Sequence, residues 1–330
     1  MFRSWLGQLA APWLTLAALA VACSVPLPAW GQAPAPKEEK KEIPKPEDIT
    51  IETADGVLLK CTYYGSLLEK QAVPVILVHG WGGSRKDFDR VALGLQAAGH
   101  AVIVPDLRGH GGSINRKIAG VEATQPVDHK KFKTNDMQIF AQVDLEAVKQ
   151  HLMKENNSGK LNIELLCVVG SEFGAICAVN WAIQDWSWPQ LPNMKQGQDV
   201  KALVLISPET QFKGYKMQNL TQVPVVASLS MLLIAGKKDN HPAAAEVRRM
   251  EKNLERFHYK YVIEPKDDDK IRAEKNKKRD LFTYLPDTSL QGKDLLTDDS
   301  LRSLRILAAI DTFLRMRLVD RADNYPWATR

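Results

Sequence analysis

Leu165-Leu166-Cys167-Val168-Val169-Gly170-Ser171-Glu172-Phe173-Gly174-Ala175-Ile176-Cys177-Ala178-Val179 changes character at its centre. Leu165 to Val169 is a short apolar run of the kind that forms a strand buried on both faces, and Ala175 to Ile183 carries the longer apolar pattern of a buried helix. Between them Gly170 and Gly174 bracket Ser171-Glu172-Phe173. Glycines spaced in this way suit a sharp strand-to-helix turn, in which no Cβ fits where the two backbones approach. Such a turn lifts its central side chain, here Glu172, above the sheet edge. Ser171 comes one position before the apex and points elsewhere.

Upstream, Ile49 to Glu52 and Leu58 to Tyr63 are β-type runs joined through Asp55-Gly56, a hairpin turn signal. Val75 to Val78 is wholly apolar and ends in His79-Gly80-Trp81-Gly82-Gly83. Ser84 is placed to cap a following helix with Phe88, Val91, Leu93 and Leu95 on its apolar positions. Ala101 to Val104 is another buried strand, ending in Asp106-Leu107-Arg108-Gly109-His110-Gly111-Gly112-Ser113. Downstream, Lys201 to Ile206, Met231 to Ala235 and Asp280 to Tyr284 are strand candidates. Met137 to Met153 and Ser300 to Leu318 read as helices. Strands alternating with helices predict a mostly parallel sheet covered on both faces, with any site at the carboxyl ends of the strands.

These residues resemble the α/β-hydrolase family over roughly residues 48 to 318. His79, Gly80, Trp81 and Gly82 resemble its oxyanion loop, Asp106 to Gly111 its D-x-R-G-x-G turn, and Gly170, Ser171, Phe173 and Gly174 the frame of its nucleophile elbow. The resemblance implies an α/β-hydrolase fold with a minimal cap or none, because the segment between Ser207 and Met231 is short. It also implies that the triad positions are Glu172, Asp239 in Gly236-Lys237-Lys238-Asp239, and Gln291 before Gly292. Neither the serine nor the histidine of the family is then present, and no histidine follows His258. A glutamine cannot take up and return a proton at neutral pH, so the acyl-transfer cycle lacks both its nucleophile and its base. The expected role is a binding scaffold for a small-molecule or protein ligand in the former active-site cleft. The alternative is a hydrolase of the esterase, lipase or peptidase type using Glu172 with Asp239, or with a histidine brought in from elsewhere. A third reading, a structural protein, predicts no accessible cleft.

The other histidines have bland readings: His79 as a structural hydrogen-bonder, His110 near the site mouth, His241 as a helix cap, His100 and His151 on the surface, and His129 solvated among Lys130, Lys131 and Lys133. Neither the histidine nor the cysteine spacing suggests a metal site, no G-K-S/T follows the glycines, and no cofactor is expected. Trp181, Trp186 and Trp188 read as packing residues, and Lys266 to Asp280 as an exposed charged segment.

The chain has 330 residues, 45% hydrophobic and 25% charged, enough for one large α/β domain. Its formal charge of +5 is small, and the two signs are interspersed, which gives no footprint for nucleic acid. Arg3, the apolar stretch Leu9 to Val25 and Ala29-Trp30-Gly31 suggest a signal peptide over 1–31 and a secreted or periplasmic protein. Pro26 and Pro28 argue against a stable span. Ala20-Val21-Ala22-Cys23 has the form of a lipobox, which would instead tether the chain through Cys23. Residues 32–47, with Pro34, Pro36, Pro44 and Pro46 among Lys and Glu, read as a solvated linker, 48–318 as the domain and 319–330 as a C-terminal tail. Cys61, Cys167 and Cys177 read as buried apolar residues.

Overall fold

An eight-stranded sheet organises the chain. A computed structural model describes residues 42–193, 195–238, 241–258 and 264–330, all within one compact unit beginning at Lys41. The expected signal segment 1–31, with Cys23, lies outside the described residues, as do most of the linker and Asp239.

In chain order the strands are β1 (Glu47–Glu52), β2 (Leu58–Tyr64), β3 (Pro74–Val78), β4 (Ala101–Pro105), the short pair β5 (Asn115–Lys117) and β6 (Thr124–Pro126), β7 (Leu166–Ser171), β8 (Val200–Ile206), the pair β9 (Gln211–Phe212) and β10 (Tyr215–Lys216), β11 (Ser230–Ile234) and β12 (Leu281–Tyr284). The large sheet has the order β1-β2-β4-β3-β7-β8-β11-β12. Only β2 runs against the rest.

The central strands are apolar at nearly every position, yet the pleat still sorts them. Ile76, Val78, Val168, Leu203 and Leu205 join one core cluster, while Val75, Leu77, Val169, Val204 and Ile206 join the other. The first face is covered by α2 (Glu146–Asn157), α3 (Phe173–Ser187) and α5 (Pro242–Leu254). The second is covered by α1 (Asp89–Ala97) and α8 (Ile306–Arg317). The segment after β8 holds the β9–β10 hairpin and α4 (Pro224–Ala227), with no inserted cap domain. Ser84 and Asp87 form a capping box ahead of α1, in which Leu93 faces solvent.

Several local expectations are corrected. The helix expected over Met137 to Met153 begins as a π-helical stretch, Phe140–Leu145, which carries Asp144 to Arg108. The single closing helix is instead α7 (Asp298–Ser303) and α8, broken at Arg305 in the left-handed region (φ 52°). β1 begins at Glu47, inside the stretch read as linker, because Glu47 pairs with Tyr63. The Pro44 carbonyl is docked by Gln96 at 2.9 Å. The tail is anchored: Arg330 bonds Glu164 at 2.6 Å and Asp199 at 2.7 Å, and the Trp327 indole donates to the Leu161 carbonyl.

Two of the histidines read as surface residues are not. His100 is buried against Asp311 at 3.3 Å, and His151 is half-buried with its ring edge against Tyr63. Both partners are distant in sequence, so local pattern carried no sign of them. Trp181 and Trp186 pack with their indole nitrogens bonded to Glu146 and the Val200 carbonyl, while Trp188 is partly exposed. Charged α6 (Asp269–Lys278) has no buried residue. Cys61, Cys167 and Cys177 are buried free thiols, whose ionisation burial suppresses.

Candidate active-site cleft

The turn between β7 and α3 takes its shape from two close approaches. A Cβ on Gly174 would collide with the carbonyl oxygens of Val78 and His79, and one on Gly170 with the backbone of Gly174 and Ala175. Glu172, between them, has φ 52° and ψ −117°, a conformation costly for a residue with a side chain. It is held by its own N–H, which donates to the Ile206 carbonyl at 3.0 Å, and by its carbonyl, which accepts from Ala175 at 3.0 Å. Its carboxylate lies against Gly80 of the loop after β3 and Gly292 of the loop after β12. Ser171, one step earlier, is buried at the end of β7, and its hydroxyl has no hydrogen-bond partner among the described residues.

Gln291 stands across the cleft from the turn and uses both ends of its amide. Its Oε1 accepts from Ser207 Oγ at 2.8 Å and from the Gly236 N–H at 3.3 Å, while its Nε2 donates to the Gly236 carbonyl at 2.8 Å. Ser207 Oγ in turn accepts from the Gly292 N–H at 2.9 Å. The loops after β8, β11 and β12 are thereby stitched together, with Ser207 itself at φ 44°. Gly236 opens the loop that leads to Asp239.

The loop residues after β3 are built into an aromatic wall. His79 is buried, with Nδ1 placed to donate to the Gly80 carbonyl at 2.7 Å and Nε2 accepting from the Leu107 N–H at 3.0 Å; burial pulls its pKa down. Both ring nitrogens are committed, so it cannot serve as a base for the cleft. Trp81 packs against Phe173, Phe212 and His110 at 5.0 to 5.2 Å between ring centres, and the Lys213 ammonium lies 4.5 Å from the indole. Gly82 (φ 74°) turns the loop, and space beside it is open.

His110 is not at the site mouth, and His129 is not free in solvent. His110 is buried and stacks on His129 at 4.1 Å, while His129 Nδ1 bonds the Gly109 carbonyl at 2.7 Å. Burial, then the neighbouring His79, brings the His110 pKa down to about 3.

What remains open is a cleft of about 380 Å³ at the carboxyl ends of the strands, lined by Glu172, Ser207, Glu209, His241, Arg249 and Gln291 among others. His241 Nδ1 accepts from the Ala243 N–H at 3.2 Å as the cap of α5, and its Nε2 has no hydrogen-bond partner among the described residues. Glu209 escaped the sequence reading, although Ser207-Pro208-Glu209 directly follows a strand, which is where sites collect in such sheets. Its Oε2 is buried without a hydrogen-bond partner among the described residues.

The sequence-family profile for the alpha/beta hydrolase fold matches residues 73–296. The chain belongs to the α/β-hydrolase family. An esterase of Pyrococcus furiosus is similar in structure at 16% identity (TM-score 0.54), with 83% of this chain and 92% of that chain covered. A carboxyl esterase of Bacillus coagulans is similar at 12% identity (TM-score 0.54, 83% and 99% covered), and a fungal esterase of Rhizomucor miehei at 14% (TM-score 0.53, 87% and 86% covered). At these identities the likeness concerns the fold. No curated protein matches the sequence. Among the described residues no cluster of His, Cys, Asp and Glu could hold a metal ion, and no helix is long and apolar enough to cross a membrane.

Within this hydrolase-fold cleft both carboxyls are hard to ionise. Burial raises the Glu172 pKa, with Asp294 adding to it; burial, then the Glu172 charge, raises that of Glu209. A carboxyl whose pKa is higher in the folded than in the unfolded chain costs stability as pH rises above its ordinary value near 4.5. Glu172→Gln should therefore melt with the parent near about pH 4 and progressively above it toward neutrality. Thermal unfolding across that range is the check, and a melting difference independent of pH would remove the argument.

Proposed function

We propose that the chain is a non-catalytic member of its family that binds a ligand in the cleft around Glu172, and that segment 1–31 directs it out of the cytoplasm. The observation that carries the reading is the pairing of Glu172 at the elbow apex with Gln291 on the facing loop. Acyl transfer needs a hydroxyl or thiol that can be acylated and a group that moves its proton. The apex supplies a carboxylate instead, and the Gln291 amide is committed to Ser207 and Gly236. A cleft of about 380 Å³ nonetheless stays accessible, which favours a ligand over a purely structural role. The short segment between β8 and β11 leaves this cleft without a cap domain.

The second reading is a hydrolase with rearranged residues. It is favoured by His241 and Glu209 sharing the cleft with Glu172. A carboxyl with raised pKa can act as a general base on water, and His241 Nε2 has no hydrogen-bond partner among the described residues.

Turnover separates the two. The protein is expected to hydrolyse short-chain esters, lipids and peptides no faster than its Glu172→Ala variant, and serine-directed phosphonates should leave it unlabelled. Slow hydrolysis, of order 10³ over water, can persist from a fold whose triad is gone. Fast turnover abolished by Glu172→Gln would sink the binding reading and establish the second.

A further inference from the structure

The β5–β6 hairpin has no core of its own. Every residue from Ile114 to Pro126 is exposed, although the segment forms a regular antiparallel ladder pairing Asn115 with Pro126 and Lys117 with Thr124. The hairpin is held to the domain through β5, by the Val57–Arg116 bridge, the Lys117 N–H to the Gly56 carbonyl, Arg116 Nε to the Asp55 carbonyl and the Lys117–Glu52 ion pair. A two-stranded hairpin with neither face covered is marginal in water. Its apolar residues are nevertheless large: Ile118 is 43% and Val121 61% exposed, on either side of Gly120 at the tip, and Ile114 is 46% exposed near the base.

Within the segment itself one sign dominates, while Glu52 and Asp55 face it and Asp128 and Asp136 line the hollow at its base. Residues 114 to 133 carry Arg116, Lys117, Lys130, Lys131 and Lys133 against Glu122 and Asp128, a formal charge of +3 out of the whole chain's +5. Lys117 is partly offset by its ion pair with Glu52. Lys130, Lys131 and Lys133 are exposed, and Lys131 lines the same hollow as Arg116, so the basic segment lies beside the hairpin base. Aliphatic side chains at the tip, with cations set behind them, match the profile of a membrane interface, where acyl chains lie beyond a layer of headgroups.

We propose that this hairpin is an interfacial anchor, inserting Ile118 and Val121 among the headgroups of an anionic lipid surface while Arg116, Lys130, Lys131 and Lys133 meet the lipid charge. A protein groove would take one face of the ladder and leave the other exposed, whereas a lipid surface covers the whole tip. The inference is independent of whether the cleft binds or catalyses.

The test is co-sedimentation of the full chain with vesicles of phosphatidylcholine alone and of equal parts phosphatidylcholine and phosphatidylglycerol. The apolar stretch Leu9 to Val25 can add affinity common to both, so the informative quantities are the preference for anionic vesicles and its change within variants. The parent should prefer the anionic vesicles, and the preference should fall as salt is raised. Ile118→Asp combined with Val121→Asp should weaken binding to anionic vesicles roughly tenfold or more, with unchanged thermal unfolding. Lys130→Glu, Lys131→Glu and Lys133→Glu together, a second variant that leaves the hairpin intact, should abolish the preference. Equal binding of parent and tip variant, or no preference for anionic lipid, would overturn the proposal. So would a tip variant that alters only self-association in sedimentation, since the patch would then be meeting a second copy of the chain.

Discussion

Gly174→Ala is expected to leave little soluble protein, and any that folds should be destabilised by about 4 kcal/mol or more. Gly174 has ordinary helical backbone angles, so the penalty is purely steric. Its added methyl would meet the carbonyl oxygens of Val78 and His79, which belong to a central strand and to a loop fixed by the His79 hydrogen bonds. Val78 cannot withdraw without breaking β3–β7 pairing, and His79 is held by its ring's bonds to Gly80 and Leu107. Gly82→Ala is the matched control: its φ of 74° disfavours a side chain, yet the space around it is empty. That variant should cost only about 1 kcal/mol. Thermal or urea unfolding of the pair is decisive; similar losses in both would show that the close approach at Gly174 adds nothing to the cost.

Arg108→Met should cost about 3–5 kcal/mol, the range for stripping one partner from a buried ion pair. Arg108 is 3% exposed and bridges Asp55 at 2.7 Å and Asp144 at 2.5 Å, joining the β1–β2 turn to the π-helical stretch before α2. Burial pushes the Asp144 carboxyl up, and the guanidinium is the main force against it. Remove it, and Asp144 must either hold a buried charge or take a proton. Adding Asp144→Leu to Arg108→Met should recover most of the loss, because the uncompensated acid is then gone. Asp55 supplies a second signature. Burial opposes its ionisation, but Arg108 and Thr53 overcome this and bring its pKa down to about 2. The stability it contributes is complete above the ordinary aspartate value of 3.8 and is lost as pH falls toward about 2, so that part of the acid limb should flatten in Arg108→Met. Urea midpoints within error of the parent would refute the assignment.

The parts of the molecule that were legible in sequence are those encoded over a few neighbouring residues. The glycine pair framing Glu172, the all-apolar runs of β3, β4 and β7, and the Asp55-Gly56 turn each state their geometry locally, and their order gives the sheet. The positions of Arg108, His100 and His110 depended instead on partners from 36 residues to more than 200 away, or on packing no local pattern records. A lone histidine between Gly99 and Ala101 looks like a surface residue until Asp311 arrives from α8. The break at Arg305 was invisible for another reason: Leu304 and Ile306 continue an apolar helical pattern straight through it. Glu209 was missed because its loop carries no glycine signature, only its place at the end of β8.

The knot formed by Gln291, Ser207, Gly236 and Gly292 has one property that an imidazole in its place would lack. An amide offers the same donor and the same acceptor from acid to alkali, whereas a ring that titrates near neutrality exchanges an acceptor for a donor as it gains a proton. The three loops that shape the mouth of the cleft are therefore fastened by a clasp indifferent to its surroundings. A protein built this way presents one fixed contour to its ligand in any compartment that leaves the fold intact, and whatever response to acidity it has must come from the ionisable groups that line the cleft, Glu172 and Glu209 among them, not from the frame that holds them.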